Sequence, residues 1–259
     1  MKTKTEFLAQ FAFREDGSGL IGVERERFLV DGLGCPIALS KGFLREVNNP
    51  RWTYELSACQ VEDRTDPKRL REEILAELAL NDLAGEEAAK RIGCELRIME
   101  VAPVAMPLTV YPDPRYFEIA KRISEEELRA ACRVAGVHIH YGVANMAEAL
   151  RVYNRLRAHL GYLSHIGDCS HGERLALYRT MAPKSIPPRY KNEDDFYKTA
   201  CERGFAENPR DCWHLIRISR HGTVECRMFG ACETQRVMHL VDVVRRIVEG
   251  GRCCYETTW

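Results

Sequence analysis

Ionisable residues spaced two apart inside otherwise apolar stretches carry the chemical content of this sequence. Glu24 and Glu26 interrupt the run from Leu20 to Val30, and His138 and His140 interrupt the run from Val137 to Val143. Glu225 and Arg227 interrupt Thr223 to Met228, and Arg217 sits inside Leu215-Ile216-Arg217-Ile218-Ser219. Residues two apart on a strand share one face. Two carboxylates on one face repel each other unless a cation or solvent separates their charges. Carboxylates with one imidazole are a donor set for a hard cation such as Mg²⁺ or Mn²⁺. Neighbouring arginines suit phosphate or carboxylate. Acids, His and Arg together describe a metal–nucleotide site better than a simple metal hydrolase. Each pair also has a plain structural reading. Glu-x-Glu is common on the wet face of a half-exposed sheet, and Glu-x-Arg is often a surface ion pair. Chemistry is favoured because the pairs fall in different strands that one sheet can bring together.

Those pairs need strands, and the strands need helices to cover their other face. Residues 20–30 read as a strand ended by an Asp31-Gly32 turn, and 53–62 as a second extended segment. Asp66-Pro67 reads as a helix start, with Leu70, Ile74, Leu75 and Leu78 on one face and Gly93 past its end. A strand is expected over 95–101, then a loop over 102–114, which holds four prolines. Ser124-x-x-Glu127 is a capping-box pattern opening a helix that Gly136 ends. A strand follows over 137–143, and Asn145 caps a helix reaching about residue 163. Residues 164–190 read as largely irregular. Strands over 213–219 and 223–228 flank a His221-Gly222 turn, and a last helix spans 233–249. The final strands form a hairpin, and strict βαβ alternation is absent. The expected fold class is therefore α+β: a curved, mainly antiparallel sheet with helices packed on one side. Neither an internal repeat nor a low-complexity linker is seen, so residues 1–259 are expected to form one catalytic domain.

Bulk properties narrow the function classes. Lys plus Arg is 38 and Asp plus Glu is 38 in 259 residues, so the formal net charge is zero. A general nucleic-acid binder usually carries a basic excess, and zero net charge permits a homo-oligomer. The sequence has no apolar run of membrane-spanning length. Its first apolar stretch is short and broken by Glu6 and Gln10, a poor signal peptide. The expected location is the cytoplasm, with no membrane partner. None of the eleven cysteines forms a Cys-x-x-Cys pair, although Cys253 and Cys254 are adjacent. Reduced, buried thiols are expected in that compartment.

The order of motifs resembles one family. Gly22-Val23-Glu24-Arg25-Glu26 with Leu29-Val30-Asp31 resembles the opening of glutamate–cysteine ligase type 2 enzymes. Glu55-Leu56-Ser57-Ala58-Cys59-Gln60-Val61-Glu62 is similar to that family's second motif, and Gly136 to Val143 to its Gly-x-His-Val-His strand. Ala176-Leu177-Tyr178-Arg179 resembles its Ala-Ser-Tyr-Arg, and Arg217-Ile218-Ser219-Arg220 with Thr223-Val224-Glu225-Cys226-Arg227 its last motif. The resemblance implies the fold of glutamine synthetase and the guanido kinases. It implies an ATP- and Mg²⁺- (or Mn²⁺-) dependent ligase that joins an amino-acid carboxylate, glutamate in the family, to an amine through an acyl phosphate. Peptides are among the substrates it leaves open. It further implies that Glu26, Glu55 and Glu62 hold one metal and that Glu24, His138 and Glu225 hold another. His140, Arg220 and Arg227 would contact ATP phosphates, and Arg179, Arg217, Arg220 and Arg227 would serve catalysis. Glu55 and Glu62 are seven apart, so a turn or bulge must intervene if both are ligands. Tyr54, Tyr141 and Trp213 read as structural, and Asp168, His171 and Glu173 as solvated loop residues. Departures are the shorter chain, the segment Ala102–Pro107 in place of Thr-His-Pro, a divergent Ser164–Ser170, and no prolines in the last arginine motif. The alternatives are a metal-dependent amidohydrolase, which also uses His-x-His but early in a βα barrel, a guanido-kinase-like phosphotransferase, and a non-catalytic ATP- and metal-binding relative.

Overall fold

The structure is a computed structural model, described over residues 2–250. Cys253 and Cys254 lie outside the described residues. In chain order the elements are α1 (Lys4–Leu8), β1 (Ile21–Val30), α2 (Ser40–Val47), β2 (Trp52–Tyr54), β3 (Gln60–Arg64), α3 (Arg71–Arg91), β4 (Glu95–Arg97), α4 (Pro114–Arg122), α5 (Glu125–Arg133), β5 (Gly136–Gly142), α6 (Met146–Ala158), α7 (Leu160–Ile166), α8 (Glu173–Met181), α9 (Glu193–Arg203), β6 (Ile216–Ser219), β7 (Thr223–Gly230) and α10 (Thr234–Glu249).

One sheet runs β2-β3-β1-β5-β7-β6, with β4 also on β1, and every pairing is antiparallel. This is the expected α+β class, not the βα barrel of the amidohydrolase alternative. Alternation divides the sheet into two faces. Ile21 and Val23 of β1, Val137, Ile139 and Tyr141 of β5, Ile216 and Ile218 of β6, and Val224 and Cys226 of β7 enter the main core. Helices α3, α6 and α10 pack against these strands. Helix α10 buries Val237, Leu240, Val241, Val244, Ile247 and Val248, one face at helical spacing. On the same side β1 continues with Arg25 and Arg27. Burying two cations requires partners, and Asp63 of β3 and Asp82 of α3 supply them. Arg25 Nη2 is 2.8 Å from Asp63 and 2.9 Å from Asp82, and Arg27 pairs with Asp82. The opposite face is left for the polar residues.

Several boundaries differ from the sequence reading. Asp66 and Pro67 are extended, because Lys68 pairs with Ile21 through two backbone hydrogen bonds of 2.8 and 2.9 Å. Helix α3 therefore begins at Arg71, and Leu70 is exposed. The segment 53–62 is two strands separated by a turn. The strand expected over 95–101 forms a ladder over Glu95–Arg97, and Val101 makes a separate bridge to Val134. Helix α5 ends at Arg133, and Gly136 starts β5 instead of capping that helix. The helix capped by Asn145 stops at Ala158, and α7 follows after His159. Residues 164–190 contain α8, whose expected apolar period is masked by Arg174, Arg179 and Thr180. Among the described residues, no helix is long and apolar enough to cross a membrane.

Candidate active site

Register brings the polar pairs together. Glu24 lies opposite His138, Glu26 opposite Glu62, and His140 opposite Glu225. The β5–β7 ladder shifts register between Val137 and Ile139, which pair with Phe229 and Cys226. The extra residue is a bulge in β7 beside Arg227 and Met228, a device that re-aims side chains near sites. Carbonyls freed there need donors. Arg174 of α8 supplies them: its guanidinium donates to the carbonyls of Ala135 (2.8 Å), Met228 (3.1 Å) and Arg227 (3.3 Å). Gly136 makes room for it, since a Cβ there would lie 2.2 Å from Arg174 Nη2. The Gly136 N–H donates to Glu26 Oε2 at 2.6 Å and fixes that carboxylate.

The result is a cleft of about 450 Å³ over the sheet. Glu24, Glu26, Glu55, Glu62, His138, His140, Arg217, Arg220 and Arg227 all line it. Glu225 does not itself line the cleft: it is fully buried behind Arg217, Arg227 and His138, which do. Its carboxylate accepts from Arg217 Nε at 2.6 Å and from Arg227 Nη1, and lies 3.9 Å from His138 Nδ1. Burial opposes the Glu225 charge, yet Arg217 and Arg227 outweigh it and hold the carboxyl below the usual carboxylate range. Glu24 is also desolvated, and His140 and His138 hold it low; His138 Nδ1 is 3.1 Å from Glu24 Oε2.

At the other side of His138 the balance reverses. Burial raises Glu62 well above the usual carboxylate range, and Glu24, Glu55 and Glu26 add to the effect. Burial likewise raises Glu55 and Glu26. The turn over residues 55–59 is what lets Glu55 and Glu62 face each other within hydrogen-bonding range. Crowded carboxylates of this kind await a cation. Two sets of ligand atoms each lie within 4.8 Å of one another: Glu24, His138 and Glu225, and Glu26, Glu62 and His138. The donor set fits Mg²⁺ or Mn²⁺, with Glu55 beside the second set rather than in it. Glu62→Gln is therefore expected to raise the melting temperature of the protein in EDTA while weakening Mn²⁺ binding. The sign follows from linkage: a carboxyl raised on folding destabilises the folded state as pH rises above the ordinary carboxylate range. Wild type in EDTA should lose stability over that range, and the variant should lose less. A variant that melts lower than wild type in EDTA would contradict the crowding.

An arginine rim faces the acids. Arg64, Arg115, Arg210 and Arg220 join Arg217 around the cleft. Burial, then Arg115, Arg220 and Arg217, hold the Arg210 guanidinium below its ordinary range, so these cations crowd one another. His140 Nδ1 meets Thr223 Oγ1 at 2.9 Å, while its buried Nε2 makes no well-formed hydrogen bond and faces the carboxylates of Glu24 at 3.4 Å and Glu225 at 4.0 Å. Trp213 and Tyr54, read as structural, line the cleft, and Arg227 stacks 5.8 Å over the Trp213 ring. Tyr141 is a core residue. Asp168 caps a local turn through Ser170 and Gly172, and Glu173 pairs with Arg133.

Arg179 does not join this group. It is exposed and does not line the cleft. Arg174, Tyr178 and Met181 are the residues that α8 turns inward, at helical spacing. Arg115, Arg174 and Arg210 carry no signal in the sequence, because each sits on an element that periodicity leaves unseen.

The same antiparallel architecture occurs in ligases of known structure. A bifunctional glutathione synthetase from Pasteurella multocida superposes with a TM-score of 0.61 at 12% identity, covering 96% of this chain and 40% of that one. A Plasmodium falciparum glutamine synthetase gives 0.51 at 10% identity, covering 90% and 51%. These likenesses define the fold. The family model of glutamate-cysteine ligase family 2 matches residues 20–248, and the chain belongs to that family. A glutamate–cysteine ligase of Natronomonas pharaonis is 26% identical over 93% of this chain and 72% of its own length. One from Halobacterium salinarum is 28% identical over 83% of this chain and 65% of its own. A relative from Paenarthrobacter aurescens is 29% identical over 88% and 58%. This chain thus spans between about half and three quarters of such relatives.

Proposed function

We propose that the protein is an ATP-dependent carboxylate–amine ligase that joins glutamate to an amine through an acyl phosphate. The observation that carries this reading is the pairing of an acidic floor with an arginine rim in one cleft. Family membership supports the ligase class. Glu26 and Glu62, with Glu55 close enough to join them, would hold one Mg²⁺ or Mn²⁺, and Glu24, His138 and Glu225 another. A cation bound at these donors would supply positive charge that neutralises charge developing during transfer. His140 stands beside the phosphates, with its Nε2 facing the Glu24 and Glu225 carboxylates. Arg220, Arg227 and Arg217 neutralise the transferring group and orient it toward the acid. Catalysis is then mainly positioning and charge stabilisation. The acid's carboxylate attacks the terminal phosphorus of ATP and ADP leaves. The amine next attacks the acyl carbon, and phosphate departs with one former carboxylate oxygen. Exposed Arg179 has no place in this scheme.

The test uses purified protein, ATP, Mg²⁺, carboxyl-¹⁸O glutamate and a panel of amines. One ADP and one phosphate should form per amide, only with acid and amine together, and EDTA should abolish turnover. Label should appear in the phosphate. AMP as product, or unlabelled phosphate, would reject the acyl phosphate.

A further inference from the structure

Part of the cleft has no use in the chemistry above. Helix α4 carries Tyr116 and Ile119 on one face, Ile123 follows as its extended C-cap, and the helix buries none of its residues fully. These three side chains line the cleft. Ala131 of α5, Val134 just after it, and Met181 of α8 complete an apolar lobe. The lobe is built, not incidental. Tyr54 Oη donates to Asp113, the N-cap of α4, at 2.9 Å, and Tyr116 Oη donates to the Tyr54 carbonyl at 3.5 Å. Tyr54 stacks on Tyr111 at 4.1 Å and meets Tyr116 edge-on at 5.8 Å.

Its position relative to the acids decides what fills it. Tyr116 lies in the field of Glu55 and Glu62, and burial followed by those two carboxyls raises its phenol far above the usual range. Gln60, on the strand of Glu62, donates to the Val134 carbonyl at 2.7 Å. The lobe therefore opens onto the Glu26–Glu62 end of the site. His140, assigned above to the phosphates, is four residues or about 13 Å along β5 from Gly136, whose N–H holds Glu26, and Arg220 follows β6 near Arg210. Arg115 lies in the first turn of α4 beside Arg210 at the rim, and Ile123 follows the helix's last residue, roughly 12 Å away. The nucleotide's phosphates belong at the rim. On the ligase reading, the acid would be activated between that rim and the carboxylate floor. The remaining reactant approaches from the side that α4 forms.

We propose that the amine joined by this enzyme carries an apolar side chain, branched aliphatic or aromatic, which packs in the lobe between α4, α5 and α8. This rests on the ligase reading above and names the class of its second substrate. A small polar amine leaves the lobe wet and gains nothing from Ile119, Ile123 and Met181.

The experiment measures kcat/KM with ATP, Mg²⁺ and glutamate for matched amines: leucine and phenylalanine amides against alanine amide, cysteine and a diamine. A parallel arm varies the acid's side chain with the amine fixed. The apolar amines are expected to exceed alanine amide by about tenfold or more, since each buried methylene contributes a several-fold preference. Ile119→Ser should reduce that ratio about tenfold, and Ile123→Trp, which fills the lobe, should reverse it in favour of the small amine. Both positions are half-buried, so loss of folding is not expected, and a thermal melt checks it. Preference for cysteine or the diamine, or a ratio unmoved by both variants, overturns the proposal while the ligase reading stands. Selectivity that follows the acid's side chain assigns the lobe to the acid and also overturns it. Turnover with no amine at all overturns both.

Discussion

Replacing Glu225 by glutamine is expected to destroy activity and to destabilise the metal-free protein as well. The side chain is fully buried and touches both Arg217 and Arg227. Glutamine keeps the size and removes the charge, so two neighbouring guanidinium groups lose their common counter-ion inside the protein. Removing one partner from a buried pair costs about 3–5 kcal/mol. For a chain of this size that is roughly 6–20 °C in melting temperature. The same carboxylate is one of the candidate metal donors, so kcat/KM should fall about a thousandfold, the size of losing a preorganised electrostatic group. Glu24→Gln makes the contrast. Glu24 keeps 29% of its side-chain surface exposed and pairs only with histidines. It should lose metal response and turnover with a much smaller change in melting. Melts in EDTA and with Mn²⁺, beside phosphate release, separate the two effects. A Glu225→Gln protein that melts like wild type would show that the ion-pair triad contributes nothing to stability. One that turns over normally would remove Glu225 from the site.

Glu225 and Glu62 also show how stability and function divide inside one cleft. Around Glu225 opposite charges are matched, and the fold gains from ionisation. Around Glu62 like charges crowd, and the metal-free fold bears strain that a cation would relieve. The two glutamine variants should therefore shift the EDTA melting temperature in opposite directions. A purely structural polar cluster gives no reason for that opposition.

The strands that carry the candidate ligands were legible because period-two alternation survives in them. In β1, β5 and β7 the apolar residues Val23, Val137, Ile139 and Val224 mark one face, and the acids and imidazoles fall by default on the other. The pairing of Glu55 with Glu62 was not legible in the alternation and came only from the motif resemblance. It depends on a turn whose geometry comes from Ser57 and Ala58 bonding to neighbouring segments, including Ala58 N–H to the Thr109 carbonyl at 2.8 Å. Helix α3 shows the opposite failure. Asp66-Pro67 has the chemistry of a helix start, but a sheet bridge to Ile21 holds it extended. The largest loss was α8. Without that helix, nothing in the sequence says that Tyr178 faces inward and that Arg179, one residue and about 100° further round, faces out. Nor does anything reveal that Arg174 seals the bulge from below. Motif position alone picked Arg179, and helical phase picks Arg174.

Arg227→Lys is expected to lower kcat by about a hundredfold with a smaller rise in KM, although the charge is kept. Arg227 is held on three sides: Nη1 on Glu225, Nε at 3.3 Å from the Tyr178 hydroxyl, and its plane over Trp213. Those contacts use part of the guanidinium and fix the orientation of the rest toward the cleft. A lysine ammonium is a point charge on a flexible stem. It can satisfy Glu225 or reach a phosphoryl oxygen, but it has no fork to do both and no plane to stack on Trp213. On the proposed phosphoryl transfer, the lost interaction would be strongest where charge builds on the transferring group, so the deficit should appear in kcat more than in KM. Trp213→Leu tests the stack separately: it should loosen Arg227 and cost a fraction of the same effect, with Glu225 still paired. Steady-state kinetics for both variants, at saturating ATP and then at saturating acid, give the split. A lysine variant with unchanged kcat and a raised KM for ATP would make Arg227 a nucleotide-binding group alone, with no part in the transfer itself.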